Sequence, residues 1–195
     1  MEKSKRQVQK EKTGDKIIKT AFKVYSESGF TTATSTIAKE AGVAHGSIFL
    51  HFSTLDDLID RLLSEFGSTV NAKIENLSDS RGSIEELLDA HIEILAEYEM
   101  FYYRLITETV LLPQSAKAVI NAIQTNLAVH FGKVFEQGIK DKDIRMLPVP
   151  LLFNTWIGLV HYYLQNKEVF APAGSVLKRY KKQLIFTYCE LIRRY

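Results

Sequence analysis

Apolar residues recur along this 195-residue chain at i, i+3, i+4 spacing, the period of an amphipathic helix, and runs of alternating apolar and polar positions are few. The pattern predicts an all-α protein. A first helix is expected from about Thr13 to Asp15 up to Gly29, with Ile17, Ile18, Ala21, Phe22, Val24 and Tyr25 as its buried stripe. A short helix follows in which Ile37, Ala38 and Ala41 form a small-residue face. Gly42 ends it, where a left-handed residue is wanted, and Val43 packs back on the turn. A second short helix is expected from about His45 to Phe52, with Ile48, Phe49 and Phe52 facing inward or toward the backbone and His45, Ser47 and His51 facing out. Ser53 or Thr54 then caps a fourth helix that has Asp56 and Asp57 in its first turn and runs to about residue 77. At 1.5 Å per residue that helix spans roughly 30 Å, enough to belong to both the N-terminal and the C-terminal regions.

The segment SDSRGS at 78–83 reads as a loop, after which helical spacing resumes with a break at Glu99 to Phe101. Pro113 stands where a new helix starts, and Ala116, Val119, Ile120, Ile123, Leu127, Phe131, Val134 and Phe135 keep helical spacing to Gly138. A polar connection at 138–147 precedes two last helices, from about Pro148 to Asn166 and from about Ser175 to Arg194, with the loop KEVFAPAG between them. The count is about nine helices. The last two are apolar over a width that exceeds what one partner helix covers. Part of that surface, Phe153, Trp156, Val160, Tyr163, Tyr180, Leu184 and Tyr188, is therefore expected to pack against a second copy, the alternative being intrachain core.

Two short helices joined by a three-residue turn with glycine have the outline of a helix-turn-helix DNA reader. At this point the residues match a known pattern: GF at 29–30 followed by TTATSTIAKEAGVAHGSIFLHFSTLDDL resembles the N-terminal signature of the TetR family of bacterial transcriptional repressors, over roughly residues 13–60. Beyond that the resemblance rests on length and helical character. The chain departs from the family at His45, Phe49 with Leu50, and Leu55, where relatives usually carry a lysine, a tyrosine pair and a further lysine, so several usual phosphate contacts are missing. The interval from Gly29 to Ile37 is one residue tighter than is common, which leaves the cap of the second helix open among Thr34, Ser35 and Thr36.

The resemblance implies an N-terminal arm and three-helix DNA-binding domain at 1–52 and a larger helical ligand-binding and dimerisation domain at 53–195. It implies a homodimeric, ligand-responsive repressor on a palindromic operator. Ala44, His45, Gly46 and Ser47 would lie nearest the base edges, with Gly46 permitting close approach. Thr34, Ser35 and Thr36 would offer hydroxyls and amides to a phosphate, and Phe49 and His51 occupy positions where relatives touch DNA. Residues 84–135 interleave large aromatic and polar groups, a mix that suits either a helical core or a pocket for a mostly apolar effector. The family's inducer site points to Phe66, Val70, His91, Leu95, Tyr98, Phe101, Leu105, Asn126, His130 and Trp156.

Composition narrows the remaining classes. With 46% hydrophobic and 25% charged residues the chain reads as an ordinary globular protein, and neither a long apolar run nor a signal peptide is present, so a cytoplasmic location is expected. Residues 1–52 hold nine Lys or Arg against five Asp or Glu, while the rest hold 16 against 18; the positive part coincides with the motif. Lys3, Lys5, Arg6, Lys10 and Lys12 form either a basic arm that follows phosphates or a solvated, disordered tail. A lone Cys189 excludes an intrachain disulfide and reads as a buried thiol. His45 and His51 are six apart, which is wrong for a shared metal on one helix, and His91, His130 and His161 read as satisfied interior or interface residues. No GxSxG or GxxxxGK[ST] motif occurs. No cofactor, metal or catalytic residue is expected. The alternatives to a regulator are a helical small-molecule-binding module and a sequence-tolerant architectural DNA protein, and they differ from it in salt dependence and in discrimination among sequences.

Overall fold

Ten α-helices and one 3-10 turn form among the described residues, 4–79 and 82–194, of the computed structural model: α1 Lys5–Ser28, α2 Thr34–Ala41, α3 His45–His51, α4 Leu55–Asp79, α5 Ile84–Glu97, α6 Glu99–Thr107, the 3-10 turn Thr109–Leu111, α7 Gln114–Lys140, α8 Val149–Gln165, α9 Lys167–Phe170 and α10 Val176–Ile192. The all-α expectation holds, with one helix more than the count of nine because a single turn, α9, forms inside the predicted KEVFAPAG loop. Lys3 of the basic run, and Ser80 and Arg81 of the predicted loop, lie outside the described residues.

The first helix begins earlier than its apolar stripe suggests. Ser4 caps it by accepting from the Gln7 N–H at 3.3 Å, so Lys5, Arg6, Lys10 and Lys12 sit on α1 rather than on an extended arm or tail. These first turns bury no side chain and carry good helix formers, so local propensity and the serine cap hold them. At the other end Gly29 takes φ 79°. Thr54, not Ser53, caps α4: its hydroxyl accepts from the Asp57 N–H and the Asp57 carboxylate accepts from the Thr54 N–H, both at 3.0 Å. Ser83 and Glu86 make the same reciprocal cap on α5. No helix among the described residues is long and apolar enough to cross a membrane.

The chain divides into two compact units, Met1–Phe66 with Met100–Ile120, and Gly67–Glu99 with Asn121–Tyr195, so that α4 and α7 each contribute to both. In the first unit Phe101 is the centre of an aromatic core, with ring centroids 4.7 Å from Phe22, 5.7 Å from Phe30 and 5.4 Å from Phe66. Glu108, just beyond α6, accepts from the Phe30 N–H at 2.8 Å and from Arg104 at 2.9 Å. Arg104 also donates to the Glu27 carbonyl at 3.2 Å. A polar clasp thereby fixes the α1–α2 turn to the end of α6.

In the second unit α10 packs on α5 and α8 around the fully buried Trp156. Its N-terminus is capped from a distance: the buried carboxylate of Glu99 accepts from the backbone N–H groups of Val176 at 2.9 Å and Leu177 at 3.1 Å, and from the Ser175 hydroxyl. Tyr188 donates to the Leu152 carbonyl at 2.6 Å, tying α10 to α8. Lys181 pairs with Asp89 at 2.7 Å and Glu93 at 2.8 Å, linking α10 to α5. Cys189 is buried, and desolvation ahead of the nearby Glu85 carboxylate pushes its thiol up to about 12.

Candidate nucleic-acid interface

The small-residue face of α2 is fully used, since Ile37, Ala38 and Ala41 are all buried. The cap left open among three hydroxyl residues is none of them: Ala33 is the N-cap, extended at φ −66°, ψ 144°, with no side-chain bond, and Thr34 is the first helical residue. The Thr34 hydroxyl is therefore free of capping duty. The turn follows its expected chemistry. Gly42 is left-handed at φ 62°, ψ 40°, its N–H reaching the Lys39 carbonyl at 3.1 Å, while the Val43 N–H returns to the Ala38 carbonyl at 3.0 Å.

The helix α3 buries only Ile48. Phe49, expected to face inward or toward the backbone, is 44% exposed, and Leu50 is 75% exposed. One seven-residue helix has room for a single core contact on this narrow seam, and Ile48 takes it. Phe49 lies with its ring edge-on to His45, centroids 5.5 Å apart. The His45 ring also meets α2: His45 Nε2 and Thr34 Oγ1 are 2.9 Å apart.

Among the nine residues expected to touch DNA, Ser35, Ala44, His45, Gly46 and Phe49 are exposed and Thr34, Thr36, Ser47 and His51 half-buried. A Cβ built on Gly46 would meet nothing within 4 Å, so this stretch of α3 is open to an approaching surface. His51 lies against α1, its Nδ1 3.3 Å from where a Cβ on Gly14 would stand. Gly14 and Leu50 were not among the expected site residues. The closeness of Gly14 to His51 depends on how α1 and α3 pack, which no local pattern in the sequence signals. Lys23 of α1 pairs with Glu40 of α2 at 3.2 Å, and that hydrogen bond is the main cause raising the Lys23 pKa.

The ten expected effector residues divide between the units. Phe66, Phe101 and Leu105 are buried in the first. In the second, Val70, His91, Leu95, His130 and Trp156 are buried, Tyr98 is half-buried and Asn126 is exposed. Trp156 Nε1 donates to His91 Nδ1 at 3.1 Å, and Ser78 Oγ lies 3.0 Å from His130 Nδ1. Burial, with a smaller contribution from His161, pushes the His91 pKa down to about 3, so its ring is neutral. None of the ten lines the open 840 Å³ cleft between α4, α5 and α10, whose walls include Lys73, Ala90, Ile185, Phe186 and Cys189.

The residues expected at a dimer contact are mostly used within the chain. Phe153, Trp156, Val160, Leu184 and Tyr188 are buried in the core of the second unit, whereas Tyr163 and Tyr180 are half-buried around Phe170 of α9, with ring centroids 4.5 and 6.0 Å from it. Exposed apolar residues on α8 and α10 are instead Leu151, Tyr162, Phe186 and Leu191.

Residues 17–62 match the family model of bacterial regulatory proteins of the tetR family. A probable HTH-type transcriptional regulator, YttP of Bacillus subtilis, is 27% identical over 169 residues, 80% of this chain and 74% of that protein. Among solved structures, a TetR family transcriptional regulator from Agrobacterium tumefaciens superposes with a TM-score of 0.79 at 18% identity, covering 95% of this chain and all of that one. The transcriptional regulator FadR of Bacillus subtilis, solved in complex with stearoyl-CoA, gives 0.74 at 22% identity over 91% of this chain and 98% of that one. With its helix-turn-helix motif, an N-terminal segment at 17–62 that matches the tetR family model, and an architecture shared along its length with TetR family regulators, the chain has a TetR-like fold with an N-terminal tetR-type DNA-binding segment.

Proposed function

We propose that this protein is a cytoplasmic, sequence-specific repressor that binds a palindromic operator as a homodimer and is released by a small, mostly apolar effector. The observation that carries the DNA-reading part is the open first turn of α3: Ala44, His45 and Gly46 are exposed, and nothing stands over Gly46. In this reading residues 1–52 carry the reader and 53–195 serve effector binding and dimerisation. Ala44, His45, Gly46 and Ser47 meet base edges, and Ser35, Thr36, Phe49 and His51 meet the backbone and groove wall. Dimerisation uses the exposed Leu151, Tyr162, Phe186 and Leu191, with Tyr163 and Tyr180 at the margin.

The effector site is formed within the second unit, around Val70, His91, Leu95, His130 and Trp156 of the residues named by the family resemblance, and long-chain acyl-CoA is the first ligand to test because the Bacillus subtilis FadR structure holds stearoyl-CoA. Switching runs through α4, which supplies residues to both units. An effector that prefers one pose of α4 alters the separation of the two readers, which must match about 34–36 Å or a multiple of it. A coupling of about 1–3 kcal/mol gives roughly 5- to 150-fold weaker binding.

The test is binding to DNA from the protein's own upstream region against a scrambled duplex at physiological salt, with Gly46→Glu as control. A preference of about 10³ or more, lost in the variant, supports the reading. Equal binding by wild type and Gly46→Glu overturns it.

A further inference from the structure

Two ring nitrogens of His45 are available for recognition in the isolated side chain, but the structure leaves one. Nε2 is taken by the Thr34 hydroxyl at 2.9 Å, and no protein group among the described residues pairs with Nδ1. The ring also stands edge-on to Phe49, with centroids 5.5 Å apart. Thr34 has no capping duty, since Ala33 occupies the cap position without a side-chain bond. A hydroxyl at the start of α2 is therefore committed to a residue eleven positions later, at the start of α3.

We propose that Thr34 is a positioning residue for base recognition: its hydroxyl holds His45 Nε2, so that Nδ1 is the nitrogen presented to a base edge. This rests on the reading that α3 enters the major groove. Thr34 then acts through His45 rather than on a phosphate. The hydroxyl both donates and accepts, so either neutral tautomer is compatible with the bond. When Thr34 donates, Nδ1 carries the proton and offers a donor to guanine O6 or N7. When Nε2–H donates to Thr34, Nδ1 accepts from the amino group of adenine or cytosine. The bond fixes the ring's direction and leaves its hydrogen-bonding sense to the base it meets. A single orientation is what lets one side chain discriminate a position, because a ring free to turn would satisfy a backbone oxygen as readily as a base.

The experiment uses the full chain and a duplex enriched by the wild-type protein from a randomised pool, together with every single-base variant of that duplex. Affinities are measured for wild type, Thr34→Val, Thr34→Ser, His45→Ala and the Thr34→Val/His45→Ala pair, with thermal unfolding of each recorded in parallel. The expected result is that Thr34→Val lowers discrimination at the position His45 reads by about 2- to 13-fold, the span of one ordinary hydrogen bond, and leaves the other positions and the scrambled duplex unchanged. Thr34→Ser restores discrimination, and Thr34→Val adds nothing in the His45→Ala background. A uniform loss across all sequences in Thr34→Val would mean that the hydroxyl serves a phosphate, and would overturn the proposal. If His45→Ala changes discrimination but Thr34→Val does not, the proposal alone fails. If neither His45→Ala nor Gly46→Glu alters binding, or no sequence is enriched, the groove-reading assignment fails and the proposal with it.

Discussion

Glu108 and Phe30, 78 positions apart, are joined by a 2.8 Å hydrogen bond in which the carboxylate accepts the backbone N–H of the turn between α1 and α2. The same carboxylate would crowd any side chain at Gly29, whose built Cβ stands 2.7 Å from Glu108 Oε1 while φ is 79°. Gly29 is thus required twice, by conformation and by space. Glu108→Ala is expected to destabilise the protein by about 1.5–3 kcal/mol, since it orphans a part-buried N–H and releases Arg104. Gly29→Ala adds backbone strain of about 1–3 kcal/mol to the clash. Urea unfolding of the two variants and their combination checks this: the double variant falls short of additivity because the clash is gone, yet keeps the strain. Strict additivity counts against the clasp.

The carboxylate of Glu99 completes the cap of α10 that Ser175 begins by accepting from the Lys178 N–H, taking the Val176 and Leu177 N–H groups at 2.9 and 3.1 Å. Removing it in Glu99→Ala leaves buried donors unpaired at a positive helix end, a cost of about 2–4 kcal/mol. Glu99→Gln retains an acceptor and loses less. Amide hydrogen exchange at Val176 and Leu177 reads the effect directly, with protection expected to fall by about 10²-fold in Glu99→Ala through local or global opening. Unchanged protection would refute the cap.

His91 gives stability a defined pH dependence. Its folded pKa lies near 3, below the ordinary 6.5, because burial and then His161 disfavour the cation. The unfolded chain thus binds a proton at about pH 6.5 that the folded chain refuses until about pH 3. The contribution is complete above pH 6.5 and declines as pH falls, by up to about 1.4 kcal/mol per unit. His161, also depressed by burial, acts in the same direction. Denaturant midpoints taken from neutral pH down to about pH 5 are expected to drop in wild type and to drop less in His91→Gln, whose amide oxygen can still accept from Trp156. Parallel slopes in the two proteins would exclude His91 as the source.

The reader was legible in sequence because its signals are short-range. Ala38, Ala41, Gly42 and Val43 specify a helix, its stop and the return contact within six residues, and the structure repeats them. The start of α1 was missed for a complementary reason: its first turns bury nothing, so an apolar period had nothing to register, although Ser4 was available as a cap. Phe49 shows the limit of periodicity on a seven-residue helix, where a step of one residue, about 100° around the axis, separates core from solvent. The stripes on α8 and α10 were visible, but periodicity does not say which partner covers them. Trp156 and Tyr188 are claimed by their own chain through His91 and Leu152, pairings 65 and 36 positions apart. The bond between Thr34 and His45 likewise depends on two helix starts brought together by the turn, and neither residue type announces it.

The early start of α1 changes the character of its basic residues. A flexible arm would surrender about 1–2 kcal/mol of backbone entropy for each residue ordered on a duplex. Lys5, Arg6, Lys10 and Lys12 stand instead on a preformed rod continuous with the helix that packs beneath α2 and α3. Their charges keep fixed bearings relative to α3, so any pull they exert on a polyanion would act as part of a rigid body. On that footing their influence would fall on the speed and orientation of first encounter.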